Sequence, residues 1–243
     1  MRLAAIALIV LFAATACSGQ AASGRQVVYV VDTSGSVTAD ARSAAIGSVE
    51  QGLESLERGD KVTIVPITGD VHGETLGRVL RFELSTRREP YDADRRRLAG
   101  DVQEQLSAFV TSVSPSAHTD LLSTFRLAAE ELQSSPVRVL VCLTDFVQDD
   151  SQFNFKTDRR LASERSAKPF ATELADGFAE RFAGVDVYLG SVQSVDLARL
   201  SKSRRAAIQT FWVEFFEAQG ARVRWATDGP GRLPEFLKSL SVE

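Results

Sequence analysis

Five oxygen-bearing side chains have the types and spacing to hold a cation together. Asp32, Ser34 and Ser36 take alternate positions of the stretch DTSGS (32–36), Thr119 opens an apolar stripe in HTDLLSTFRLA (118–128), and Asp145 closes the run VRVLVCLTD (137–145). Gly35 lets the first loop turn tightly, so that one carboxylate and two hydroxyls can converge. Two carboxylates brought to one place repel each other, and a divalent ion removes that cost. Hydroxyls with a few carboxylates are hard ligands suited to Mg²⁺, with Mn²⁺ as the alternative, in a partly hydrated octahedron; Zn²⁺ would need Cys or His. Each piece alone has a plainer reading. D-x-S-x-S occurs in turns where Ser or Asp caps a helix, and Thr119 is equally well a cap.

For these residues to meet, the chain must carry them to one edge of a sheet. Apolar runs at 26–32, 62–67, 137–145 and 185–190, with a weaker one at 221–226, read as buried strands. Between them run helical stripes: Ile46, Val49, Leu53 and Leu56; Leu98, Val102, Leu106, Phe109 and Val113; Leu121, Phe125, Ala128 and Leu132; and Ile208, Phe211, Trp212, Phe215 and Phe216. The last set reads as core. Strands alternating with helices over long connections predict an α/β fold with a doubly wound, mostly parallel central sheet and helices on both faces. Ligands of such sheets bind outside the carboxyl ends of the strands, where Asp32 and Asp145 fall. Residues 79–84 suit an antiparallel edge strand, Pro66 suggests irregularity near the end of the second strand, and 145–168 reads as a long polar insertion.

Composition narrows the function. The chain of 243 residues has a net charge of −4, and no global basic field draws it to nucleic acid. Its arginine clusters (Arg87 with Arg88, Arg95 to Arg97, Arg204 with Arg205) lie among acidic residues and read as solvated faces. Residues 1–16 have one early charge, an apolar run from Leu3 to Phe12 and a small-residue tail, the layout of a signal peptide. That run is too short to span a bilayer, which takes about 20 apolar residues. Cys17 follows, then the polar stretch SGQAASGR, so 17–25 is expected to be a tether and 26–243 one domain. Cys142 is the other cysteine, set inside an apolar strand and therefore unsuited to a disulfide with Cys17.

Two resemblances follow from these residues. MRLAAIALIVLFAATAC resembles a bacterial lipoprotein signal, with Ala14 where that family usually has Leu; it implies lipidation of Cys17 and a membrane-anchored place in the cell envelope, the alternative being a soluble periplasmic or secreted protein. DTSGS, HTDLLSTFRLA and LVCLTDF (140–146) resemble the three motifs of von Willebrand factor A domains over roughly residues 26 to 240. The resemblance implies a metal-ion-dependent adhesion site at Asp32, Ser34, Ser36, Thr119 and Asp145. In such domains the serines, and in some states the threonine, bind the ion directly, the aspartates often act through water, and a partner's carboxylate fills an open position. Glycine commonly follows the family's aspartate; here Phe146 does, which implies a bulkier loop beside the partner surface.

The expected function is thus a binding module rather than an enzyme. A metal-assisted phosphoesterase is the catalytic alternative, since Asp32 stands where some α/β phosphatases carry a nucleophile, but they want a second aspartate where this chain has Ser34. A metal-independent structural subunit of an envelope complex is a third reading, and assembly work beside an ATPase is related to it; the chain has no Gly-rich phosphate loop of its own. His118 could line the rim, but with only His72 for company it builds no triad or zinc cluster. Asp149, Asp150, Phe153 and Phe155 suggest a solvated hairpin or a recognition surface beside the ion, and Asp70 a turn.

Overall fold

The run QVVYVVD becomes β1 (Gln26–Asp32), every residue of which is buried. In the computed structural model, which describes residues 24–68, 75–112, 118–132, 135–178, 180–226 and 230–240, β1 lies inside a six-stranded sheet. The other strands are β2 (Lys61–Ile67), β3 (Leu80–Glu83), β4 (Arg138–Thr144), β5 (Asp186–Ser191) and β6 (Arg222–Ala226), in the order β3-β2-β1-β4-β5-β6. All neighbours are parallel except β3, which pairs antiparallel to β2. The chain winds outward from β1 to β3, then crosses to β4 and winds the other way, so the switch point lies between β1 and β4.

Alternation along the strands splits the core in two. Val28, Val30, Val65, Leu140 and Cys142 face the helices α3 (Leu121–Glu131), α4 (Glu164–Asp176) and α6 (Lys202–Ala218). Val27, Tyr29, Val31, Ile64, Val141 and Leu143 face α1 (Ala39–Leu53), α2 (Arg88–Ser112) and α7 (Leu233–Lys238). A five-residue helix, α5 (Val195–Arg199), follows β5. The α6 stripe is buried as the spacing predicts, and Phe125 meets Trp212 and Phe216 edge to face. In α2, Leu98 and Val102 are buried; the positions of Leu106, Phe109 and Val113 in their stripe lie outside the described side chains, and Asp70 and His72 outside the described residues.

Three expectations need revision. Pro66 does not disturb β2: β3 ends its pairing at Leu80 with Ile64, so no ladder bond to β3 is lost at Pro66. The segment 145–168 is not simply a polar insertion ahead of the next helix, since Phe146, Phe155 and Leu161 are fully buried and α4 begins within it at Glu164, behind a capping box of Ser163 and Ser166. Arg25, placed at the end of the tether, is 1% exposed and belongs to the fold. Its guanidinium donates to Asp60 Oδ2 at 2.7 Å, to the Leu237 carbonyl at 3.0 Å and to the Ser55 carbonyl at 2.7 Å. Gly24 is drawn in with it, so close to the Gly59 carbonyl that a Cβ would stand 1.9 Å from that oxygen. Residues 1–23, with the signal and Cys17, lie outside the described residues; among the described residues no helix is long and apolar enough to cross a membrane.

Candidate metal centre

Register sets the acidic pair. Val31 pairs with Leu143 across β1 and β4, so the carboxyl tips of these two central strands lie side by side, Asp32 ending one and Asp145 following the other. Asp32 is fully buried; its Oδ1 accepts the Ser34 N–H at 2.9 Å and its Oδ2 accepts the Thr144 hydroxyl at 2.7 Å. The turn that follows brings the Ser34 and Ser36 hydroxyls to 2.9 Å from each other. Arg42, one turn into α1, donates to the carbonyls of Ser34 at 3.1 Å and Val37 at 3.0 Å, which holds the loop against its helix.

Asp145 is the unusual member. It is 2% exposed, and its Oδ1 accepts the Val147 N–H at 2.9 Å while its buried Oδ2 has no hydrogen-bond partner. Burial first and then the Asp32 carboxylate push this carboxyl up to about 7; the Ser194 hydroxyl and the Val147 N–H pull the other way. Ser194 Oγ, already the acceptor of the Leu197 N–H at 2.9 Å, stands by Asp145 without closing a hydrogen bond on Oδ2. A buried carboxylate oxygen left open next to a second carboxylate could take a proton or a cation.

Thr119 reaches the same edge by another route. It exchanges both backbone hydrogen bonds with Asp149, at 2.8 and 2.9 Å, four residues beyond Asp145. The helix cap of α3 is Asp120, whose side chain accepts the Ser123 N–H at 3.0 Å, and the Gln148 side chain takes the Leu121 and Leu122 N–H groups. The capping role that Thr119 could have filled is thus taken by its neighbours. His118 is exposed beside it.

Phe146 departs from the expected picture. Rather than bulking out a partner surface, its ring is fully buried, 4.8 Å from Trp225 and 6.4 Å from Trp212 between ring centroids. Its φ of 61° is the left-handed conformation that glycine takes without strain. Here the Trp212 indole N–H donates to the Phe146 carbonyl at 2.9 Å and holds it there. Phe155 is likewise core, 4.8 Å from Phe211, and neither the solvated hairpin nor the recognition surface describes it.

Thr144, Gln148 and Ser194 hold the site and were not singled out by sequence, while Asp149 was read only as part of a hairpin or recognition surface. Thr144 had a visible sign, a hydroxyl inside an apolar run directly before Asp145. Ser194 had the weaker one of a helix start, with Asp196 in the first turn. Among the described residues no group of three or more His, Cys, Asp and Glu stands together. The donor set is two carboxylates with hydroxyls, which fits a hard, hydrated cation.

No protein-family profile and no curated protein matches the sequence. Solved structures do resemble the fold. The pilus adhesin SpaC of Lactobacillus rhamnosus GG, in its open conformation, matches at 13% identity with a TM-score of 0.52, over 90% of this chain and 30% of the adhesin. The fold is of the von Willebrand factor A type. A von Willebrand factor type A protein from Catenulispora acidiphila gives 16% identity and a TM-score of 0.42, over 89% of this chain and 42% of that one. The manganese-loaded TRAP protein of Plasmodium vivax gives 13% and 0.45, over 90% and 73%. This chain therefore spans less than half of SpaC and of the Catenulispora protein, and at such identities the likeness is one of fold.

Proposed function

We propose that this von Willebrand factor A fold is a binding module in which Asp32, Ser34, Ser36, Thr119 and Asp145 would hold Mg²⁺, and that a protein partner supplies a further carboxylate. The bound ion supplies one strong, directional position for that acidic side chain. The observation that carries the reading is the buried, unpartnered Oδ2 of Asp145 beside Asp32. Ser34 and Ser36 orient neutral oxygens at the loop, and the Thr119–Asp149 pairing ties the third motif to the second. Ser34 stands where a phosphoesterase would need its second aspartate, so catalysis forms no part of the reading. Cys17 carries the lipid anchor in this proposal and places the domain on a membrane of the cell envelope, with 18–23 as its tether.

Calorimetric titration with MgCl₂ tests it. The wild-type protein takes up one equivalent, and the double variant Asp32→Ala, Ser34→Ala takes up none; absence of uptake by the wild type overturns the reading. Pull-down from membranes with and without EDTA then separates a metal-dependent partner from a metal-free structural role. The latter has one observation in its favour, since both Asp32 oxygens already accept hydrogen bonds. Partner binding that survives both EDTA and the double substitution would establish it.

A further inference from the structure

Asp145 has a second neighbourhood. On the side of β5 and β6 it lines a cleft of about 290 Å³ together with Ser191, Lys202, Arg205, Gln209 and Trp225. Lys202 and Arg205 lie one turn apart at the start of α6, whose N-cap is Ser201. This is a poor place for them on grounds of stability. Like charges one turn apart repel, and the helix dipole already makes this end positive.

Nor are they engaged elsewhere. Among the described residues neither side chain forms an ion pair, and both are exposed. Other cations nearby are occupied: Lys156 by Asp149 and Asp196, Arg160 by Asp158, and Arg204 by the carbonyls of Phe155 and Asp158. Arg204 is the comparison that matters, since it sits between Lys202 and Arg205 in sequence and turns inward to the loop. The cleft also offers a half-buried indole face from Trp225, and apolar surface from Leu197 and Ile208.

We infer that this cleft receives a second acidic group of the partner, so that the module recognises an acidic segment with two carboxylates, one at the cation and one between Lys202 and Arg205. This rests on the function proposed above, because Asp145 is the wall common to both places and its own negative charge must be balanced by the cation for an anion to enter. Trp225 and Leu197 then cover an apolar side chain of the same segment. The Gln209 amide and Ser191 hydroxyl are the neutral donors of the cleft.

The test uses fluorescein-labelled peptides in which two glutamates are separated by none to three glycine or leucine residues, and matched peptides with one glutamate replaced by glutamine. Fluorescence anisotropy is read in MgCl₂ and in EDTA. At least one two-glutamate peptide binds the wild type about tenfold more tightly than its matched peptide, the worth of one charge-assisted contact. The variant Lys202→Gln, Arg205→Gln loses that difference, keeps magnesium uptake and keeps the affinity for one-glutamate peptides. Both positions are exposed on a helix, and glutamine preserves helix propensity, so the variant folds; circular dichroism checks it. Equal binding of the two peptide classes, or an advantage unchanged in the variant, overturns the inference and leaves the metal reading intact. Loss of magnesium uptake in the wild type, read in the separate titration, overturns the metal reading and this inference with it.

Discussion

Asp60 and Asp145 are both buried, one at each end of the sheet, and the chain treats them in opposite ways. Asp60, 1% exposed at the amino end, accepts from the Arg25 backbone N–H, from Arg25 Nε and Nη2, and from the Glu57 N–H, at 2.7–3.1 Å. Asp145, 2% exposed at the carboxyl end, accepts one backbone N–H and leaves Oδ2 open beside a second carboxylate. A buried charge is tolerated when it is paired and hydrogen-bonded. The fold completes that pairing at one end from its own residues. At the other it leaves one carboxylate oxygen without a partner from the chain, and the proposed cation would supply that pairing.

The largest effect should come from opening the clasp. Arg25→Ala strands Asp60 without its cation and is expected to lower stability by about 3–5 kcal/mol, as for other buried pairs broken on one side. Urea denaturation measures it. A loss below about 1 kcal/mol would mean that water reaches Asp60, and the contrast with Asp145 would disappear.

The opposite substitution should have the opposite sign. With EDTA present, Asp145→Asn removes a carboxyl that the fold holds up to about 7 and is expected to stabilise the protein at pH 8. The folded state binds this proton more tightly than the unfolded chain does, so the group's contribution is fully present below the ordinary aspartate range and is lost as pH rises to about 7. Each unit of such a shift corresponds to about 1.4 kcal/mol, which limits the gain to about 4 kcal/mol. Thermal melts from pH 4 to 8 should show a decline in the wild type that the asparagine variant flattens. An asparagine variant less stable at pH 8 would show that the carboxylate is already satisfied.

Magnesium should then replace the proton. At 100 times its dissociation constant a ligand adds about 2.7 kcal/mol to the folded state. The wild type should gain this at pH 8 in a thermal melt, and Asp145→Asn much less. Equal gains in both would place the ion elsewhere.

The same contrast explains what the sequence reveals. Asp32 and Asp145 are legible because apolar strands that end in a carboxylate put period, burial and edge in one short stretch. Ser34 and Ser36 follow from the turn. Asp60 and Arg25 are not legible as a pair, since 35 residues separate them and nothing local distinguishes Arg25 from the polar stretch before it. Thr119 is visible as the opening of a helix, but that Asp120 takes the cap depends on backbone angles alone. Phe146 and Phe155 lie in a polar stretch without period, and only contacts with distant elements, α4, α6 and β6, bring them into the core. Ser194 reads locally as a helix cap; its place beside Asp145 depends on β4 and β5 being neighbours.

Between the two extremes stands Lys156, which bridges Asp149 and Asp196 with its side chain about 30% exposed. A partly solvated bridge of this kind contributes little, and Lys156→Met should lower stability by less than about 1 kcal/mol in urea denaturation. Its effect on magnesium uptake is more informative because two contributions oppose each other. Removing a positive charge near the site favours a cation, whereas releasing Asp149 loosens the backbone pairing that positions Thr119. If Thr119 is a ligand, loosening wins and affinity falls by a few fold; if affinity rises instead, Thr119 lies outside the coordination sphere and the bridge only repels. The sign of this small effect therefore tests the fifth residue, for which burial and hydrogen bonding give the least direct argument.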